Sequence, residues 1–237
     1  MDYRPFLALG LSTLLAGLFV ACAQPPTITV SGPITDLGNG EPLVGARVCL
    51  TESGLCTETN DAGTFQLTGV EADREHSLSI DFDGYLPGLV PFTTSASDTE
   101  LAVISLGGDI IMDLQMALLE VEAEAGRGQV VFSVSNGIFG DRINVADVSV
   151  TLSPGGGDGP YYLSSGGLPD VEQTQTSANG GGLFVNVPVG EHTLIHQNLS
   201  AGCTTILGWS GPESLLVPVH TERVTYARIE CSEPNSD

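Results

Sequence analysis

The chain opens with an uninterrupted apolar stretch and then changes period. Phe6 to Val20 carries no charge over 15 residues. That is shorter than the ~20 residues a helix needs to cross a bilayer. After Pro26 the apolar positions fall into short alternating or β-branched runs, broken by Gly, Pro, Asn and Asp every 8–12 residues, which is the pattern of half-buried strands. The first half predicts strands over 27–31, 43–50, 55–59, 63–70, 76–82, 88–94 and 100–105. The second half predicts them over 129–134, 145–152, 171–176, 182–187, 192–197, 203–208, 214–219 and 223–230. Between the halves the period becomes helical. Asp109 to Ala125 is rich in Leu, Met, Ala, Glu and Gln, with Asp109 placed to cap the start and Gly126 to end it. The expectation is one helix of about 13–16 residues, the alternative being a last strand over 109–114 followed by an acidic linker.

The two halves repeat one another. Val44-Gly45-Ala46-Arg47-Val48 answers Val145-Ala146-Asp147-Val148, Thr57 to Gly63 answers Thr174 to Gly180, and Glu75-His76 answers Glu191-His192. The offset grows from 100 to 117 residues between the first two matches, so about 17 extra residues enter within Ser153–Asp170. Two copies make a pair of domains rather than a solenoid. The predicted class is therefore all-β, with two β-sandwich domains joined by a short helix.

Composition narrows the function. Among 237 residues there are 29 acidic and 7 basic side chains, a net charge of -22, and every basic residue is Arg. Such a chain cannot neutralise a run of phosphates, which excludes nucleic acid as a partner, and its sign disfavours adhesion to an anionic lipid surface. The 41% hydrophobic content is that of a folded protein, not of an acidic disordered tail.

Phe19-Val20-Ala21-Cys22 closes the first apolar stretch. A small residue before Cys at that place resembles the lipobox of bacterial lipoproteins, with Phe19 where Leu is usual. The resemblance implies that residues 1–21 are a signal peptide and that Cys22 becomes an acylated N-terminus. At ~0.8 kcal/mol per buried methylene, more than one acyl chain anchors a protein durably. Ala23, where Asp would direct inner-membrane retention, implies the outer membrane or cell surface. Residues 22–26 form a short tether stiffened by Pro25 and Pro26.

Four further cysteines, 49, 56, 203 and 231, suit two disulfides in an exported chain. A four-residue loop over Thr51–Gly54 puts Cys49 opposite Cys56, whereas a two-residue Ser53-Gly54 turn does not. The remaining pair is Cys203 with Cys231. Zinc is disfavoured, since no C-x2-C spacing occurs.

Gly40-Glu41-Pro42-Leu43-Val44-Gly45-Ala46-Arg47-Val48, then Thr59-Asn60-Asp61-Ala62-Gly63-Thr64-Phe65, then Gly84-Tyr85, resembles the carboxypeptidase regulatory-like domain, a transthyretin-like sandwich. The resemblance implies that residues 27–106 are one such domain. Residues 107–127 then form the helical linker, 128–231 a second sandwich of the same type, and 232–237 a tail. In metallocarboxypeptidases this module is the non-catalytic appendage, and the peptidase motif H-x-x-E is absent here, as is H-E-x-x-H. His192 and His196 on one strand lie ~13 Å apart, too far for a shared metal, and read as a solvated strand face. Gly208-Trp-Ser-Gly211 is not a serine-hydrolase elbow, and the Asp36–Glu41 and Asn60-Asp61 loops read as turns rather than Ca²⁺ sites. No catalytic residue, metal or cofactor is expected. Trp209, Tyr161 and Tyr162 remain as the rings that could stack on a sugar, from loops 153–170 and 208–212, unless they fill a core. The expected role is a lipid-anchored, non-enzymatic binding or scaffold module in the envelope. Its partners would be the membrane through Cys22 and an envelope protein or polysaccharide.

Overall fold

The computed structural model describes residues 25–136, 143–197, 203–207 and 214–231. In chain order the strands of the first half are β1 (Thr27–Asp36), β2 (Arg47–Leu50), β3 (Cys56–Glu58), β4 (Thr64–Glu71), β5 (Glu75–Asp81), β6 (Gly88–Thr93), β7 (Thr99–Glu100) and β8 (Ile104–Leu106). The helix α1 (Asp109–Leu118) follows. The second half contains β9 (Arg127–Asn136), β10 (Ile143–Asn144), β11 (Ser149–Ser153), β12 (Asp158–Leu163), β13 (Pro169–Asp170), β14 (Gly181–Pro188), β15 (Gly190–Gln197), β16 (Cys203–Leu207), β17 (Ser214–Val219) and β18 (Val224–Cys231).

In the first sandwich β1 pairs with β4, β7 and β8 and faces the sheet β6-β5-β2-β3. Along β1 every second residue points inward, so Ile28, Val30 and Ile34 are buried against Phe65, Leu67, Leu78 and Ile80. In the second sandwich β13-β12-β14-β9-β18 forms one layer and β11-β15-β17 the other. Val130, Phe132 and Val134 meet Val150, Leu194 and Val217 between them.

These layers are not separate sheets. β18 runs parallel to β9 over eight residues, Val224–Cys231 against Gln129–Asn136, and its first two residues also pair with Gly88 and Leu89 of β6. One sheet thus crosses both halves. Successive side chains of β18 divide between two cores: Val224 and Tyr226 belong to the first, Ala227 and Ile229 to the second. Gly88 permits the crossing, because a Cβ there would meet Leu106 Cδ2 at 3.0 Å and Tyr226 at 3.4 Å.

The internal repeat is visible in hydrogen bonds. In the first half, the buried Thr59 hydroxyl accepts from Ala46 N–H at 2.9 Å and donates to Leu43 C=O at 2.5 Å. In the second half, Thr176 accepts from Val148 N–H at 3.0 Å and donates to Val145 C=O at 2.8 Å. Gly45 at φ 81° and Asp147 at φ 63° occupy the same turn, so the structural match is shifted by a residue or two from the sequence match. Gly63 and Gly180, both near φ 70°, bring a backbone carbonyl so close that a Cβ would lie 2.8 Å from Ile34 O and 2.4 Å from Val134 O.

Two expectations change. The helix spans 10 residues, not 13–16, and does not fill the 107–127 linker. It ends in a Schellman motif, with Val121 N–H to Met116 C=O at 3.1 Å and Glu120 N–H to Ala117 C=O at 3.2 Å. Glu120, at φ 55°, takes the left-handed position expected of Gly126. At the other end Gly108 is the N-cap, and Asp109 bonds only the next N–H, that of Ile110. The second change lies in the insertion. Residues 171–176 form no strand, while Asp158–Leu163 inside the inserted segment does, pairing with β14. Its Asp-Gly-Pro start has no alternating period and hides the strand from a pattern reading.

Thr59→Val and Thr176→Val keep the side-chain shape but leave a buried N–H without its acceptor. Each should lower stability by ~1–3 kcal/mol. Urea denaturation would check this through a reduced midpoint at unchanged slope, similar for the two variants if the repeat is energetic as well as geometric.

Candidate functional site

One concavity lies at the junction of the sandwiches. It is a cavity of about 250 Å³. Its walls come from Leu37 and Ile104 of the first half, Gln115 of α1, and Val131, Leu183 and Arg228 of the second. The helix closes one side. Met112 packs into the first core, while Met116 and Leu119 pack on Leu183 and Val185 of β14. Both ends of this region are tied down. Gly107 N–H donates to the Tyr226 hydroxyl at 2.9 Å. Asn186, at φ 54° on β14, accepts from Glu124 N–H at 2.9 Å and donates to Glu122 C=O at 3.0 Å and Asp158 Oδ2 at 2.8 Å.

Two tyrosines carry the electrostatics of the junction and its rim. Burial pushes the Tyr226 phenol up to about 12, against the opposing bond from Gly107. Tyr85, from the Gly84-Tyr85 pair, donates to Asp36 Oδ2 at 2.5 Å, and that bond to a carboxylate, aided by burial, also holds it up at about 12. The same bond holds the Asp36 carboxyl below its ordinary range. Asp36 Oδ1 is occupied by Gly38 N–H and Asn39 N–H, both at 2.8 Å, so this loop turns its carboxylate inward on its own backbone.

Cys49 and Cys56 form a disulfide with Cα atoms 4.1 Å apart, and Leu50 N–H bonds Leu55 C=O at 2.8 Å across the Thr51–Gly54 loop. The backbone register sets Cys203 opposite Cys231 on β16 and β18. Cys22 and Trp209 lie outside the described residues. Tyr161 and Tyr162 both sit on β12 rather than on a loop. Tyr162 is only 2% exposed, its hydroxyl accepting from Val150 N–H at 2.8 Å and its ring edge-on to Phe132. A ring so enclosed cannot stack on a sugar, which corrects its assignment as a ligand residue. Tyr161, on the opposite face, is half-buried against the cluster of Met116, Leu119, Leu183 and Val185, and burial raises its phenol.

The histidines are structural as well. His192 is not on a solvated face: it is buried, with Nδ1 2.8 Å from Pro154 O and Nε2 2.8 Å from Pro188 O. His76 is its counterpart in the first half, buried, with Nε2 2.9 Å from Glu71 O. Each latches the start of its hairpin. Among the described residues no three His, Cys, Asp or Glu side chains are placed to hold a metal, and no helix is long and apolar enough to cross a membrane. The cavity itself had no signal in the sequence. Gln115 and Arg228 are more than 100 residues apart in the chain and line one cavity only in the folded structure.

The fold thus defines a pair of β-sandwiches sharing one sheet. Residues 29–107 match the family model of the carboxypeptidase regulatory-like domain, as the residues of the first half suggested. The TonB-dependent receptor SusC of Bacteroides thetaiotaomicron is 27% identical over 162 residues, covering 64% of this chain and 16% of the receptor. Human cartilage intermediate layer protein 2 is 32% identical over 84 residues, 35% of this chain and 7% of that protein. The chain therefore spans under a fifth of either relative's length. Among solved structures, the minor pilin GBS52 of Streptococcus agalactiae covers 89% of this chain and 97% of its own at 13% identity, with a TM-score of 0.33. A type II cohesin–X-dockerin complex from Acetivibrio cellulolyticus covers 42% of this chain and 76% of its own at 17% identity, with a TM-score of 0.31. Superpositions this loose do not define a shared function.

Both raised tyrosines bind a proton more tightly in the folded state than their ordinary value of 10. Their contribution is complete below pH 10 and is lost as pH rises from 10 toward 12. Tyr226→Phe should flatten part of that alkaline limb. It should also cost ~1–3 kcal/mol at neutral pH, because the Gly107 N–H loses its acceptor. Denaturation curves taken at several pH values would read both effects.

Proposed function

We propose that the protein is an exported, lipid-anchored, non-enzymatic module of the bacterial envelope that works as a binding or scaffold unit. The observation that carries this reading is the distance between the lipobox-like cysteine and the fold. Pro26 C=O already accepts from Ala72 N–H at 2.9 Å, and β1 begins at Thr27. Only Ala23, Gln24 and Pro25 separate Cys22 from Pro26, a reach of at most ~14 Å. An acyl anchor there holds the first sandwich against the bilayer. β1 then runs ~30 Å from the tether to the junction at Asp36, so the cavity and the second sandwich are presented away from the attachment point.

Further support comes from the Cys49–Cys56 disulfide, which belongs to an oxidising compartment. The match to a TonB-dependent receptor also favours the envelope. The non-enzymatic part rests on the matched domain type and on the structural use of His76 and His192. We also propose that Cys203 and Cys231, facing each other in register, form the second disulfide.

Metabolic labelling with a fatty acid should mark the wild-type chain and leave Cys22→Ser unmarked. Equal labelling of the two would remove the anchor. Intact mass should rise by about 4 Da on reduction if both disulfides are present, and a rise of about half that would remove the second.

A further inference from the structure

We infer that the outward face of α1 is a docking surface for a transient protein partner, an amphipathic helical segment whose apolar stripe is edged by Lys or Arg. The helix has two unlike faces. Met112, Met116 and Leu119 are buried against the two halves. On the opposite face Ile110, Leu114 and Leu118 recur at intervals of four, which sets them in one row along the axis. They are 80%, 52% and 49% exposed. Single exposed aliphatic side chains are ordinary on a folded protein, but a row of three on one short helix marks an interaction surface. The fold itself does not call for the row. The helix is already seated by its inner face, and Gln or Lys at these places would serve its helix propensity almost as well.

The two edges of the row differ. On one side Ile111 meets the loop after Asp36, where a Cβ at Gly38 would lie 2.5 Å from Ile111 Cδ1. On the other side stand Asp109 and Asp113, four residues apart and both exposed, and Glu120 and Glu122 follow past the end of the helix. The helix contains no basic residue, and among the described residues none of these four carboxylates forms an ion pair.

Charge selects the occupant. A second copy would bring a like row of carboxylates and a net charge of -22 against its twin. An anionic leaflet repels the same rim. A segment that lays Leu or Ile along the row and reaches Lys or Arg toward Asp109 and Asp113 satisfies both features at once. The row is ~12 Å long, about two helical turns. A contact of that length buries well under the ~1,200 Å² of a stable complex, so the association is a transient one.

Docking here goes beyond the tethering role and does not depend on the acyl anchor. The full chain is reconstituted with phosphatidylcholine nanodiscs and immobilised through a C-terminal tag, with empty discs as the reference surface. The probes are two synthetic 14-residue amphipathic helices, one of Leu and Lys and one of Leu and Glu in the same order. The Leu/Lys peptide should bind saturably, and the Leu/Glu peptide should bind at least tenfold more weakly. The triple variant Ile110→Gln, Leu114→Gln, Leu118→Gln keeps the charge and should melt as the wild type does, because all three side chains face solvent. It should weaken the Leu/Lys peptide by about tenfold or more, and Leu114→Gln alone by about threefold. Asp109→Asn with Asp113→Asn should weaken it by about threefold and reduce its salt dependence. The inference is overturned by no saturable binding of the Leu/Lys peptide, by equal binding to the triple variant, which would leave bulk charge as the cause, or by equal binding of the Leu/Glu peptide. It is overturned too by a wild-type dimer in sedimentation velocity that the triple variant abolishes, since a second copy would then cover the row.

Discussion

The last strand in sequence is the one the rest of the structure rests on. β18 enters between β9 and β6 and satisfies backbone groups on both. Because side chains of a strand alternate, a single segment supplies apolar residues to both cores. The cost is geometric. The approach requires glycine at position 88 and sends the Tyr226 hydroxyl to the N–H of Gly107, just before the helix. Helix, junction cavity and relative placement of the halves all follow from that one insertion. The pairing is also strongly non-local, since Val224 lies beside both Gly88 and Gln129, and such contacts form late in folding because a long loop must close first.

Within each half the same small device recurs. A buried threonine replaces a missing ladder bond by both accepting from and donating to the segment that precedes the second strand. A glycine four residues later lets a carbonyl of the first long strand approach. A histidine then fastens the following hairpin to a backbone carbonyl. These are positions where residue type is set by hydrogen-bond satisfaction rather than by hydrophobicity, which is why the two halves remain recognisable despite the insertion in the second.

What could be read from the sequence follows the same division. The alternating runs located most strands, and Asp61-x-Gly63 located a turn, because each depends on local chemistry. The helix boundary was misread because Glu120 adopts a conformation for which glycine is the usual signal. β12 was missed because Gly, Pro and two adjacent tyrosines erase its period, and Tyr162 was read as an exposed ring when its partner is the backbone of Val150. The cavity was invisible because it is made by the packing of three elements. Gln115 of the helix and Arg228 of β18 come to line it together only in the folded chain.

The cystine at Cys49 and Cys56 has a meaning beyond its modest loop. β3, which it secures to β2, is the terminal strand on that side of the eleven-stranded sheet. A strand of three residues has few hydrogen bonds of its own with which to stay in place. Fastened covalently, it holds the end of the long ladder in place and leaves only a three-residue rim for another chain to pair with, and a rim that short discourages end-to-end polymerisation.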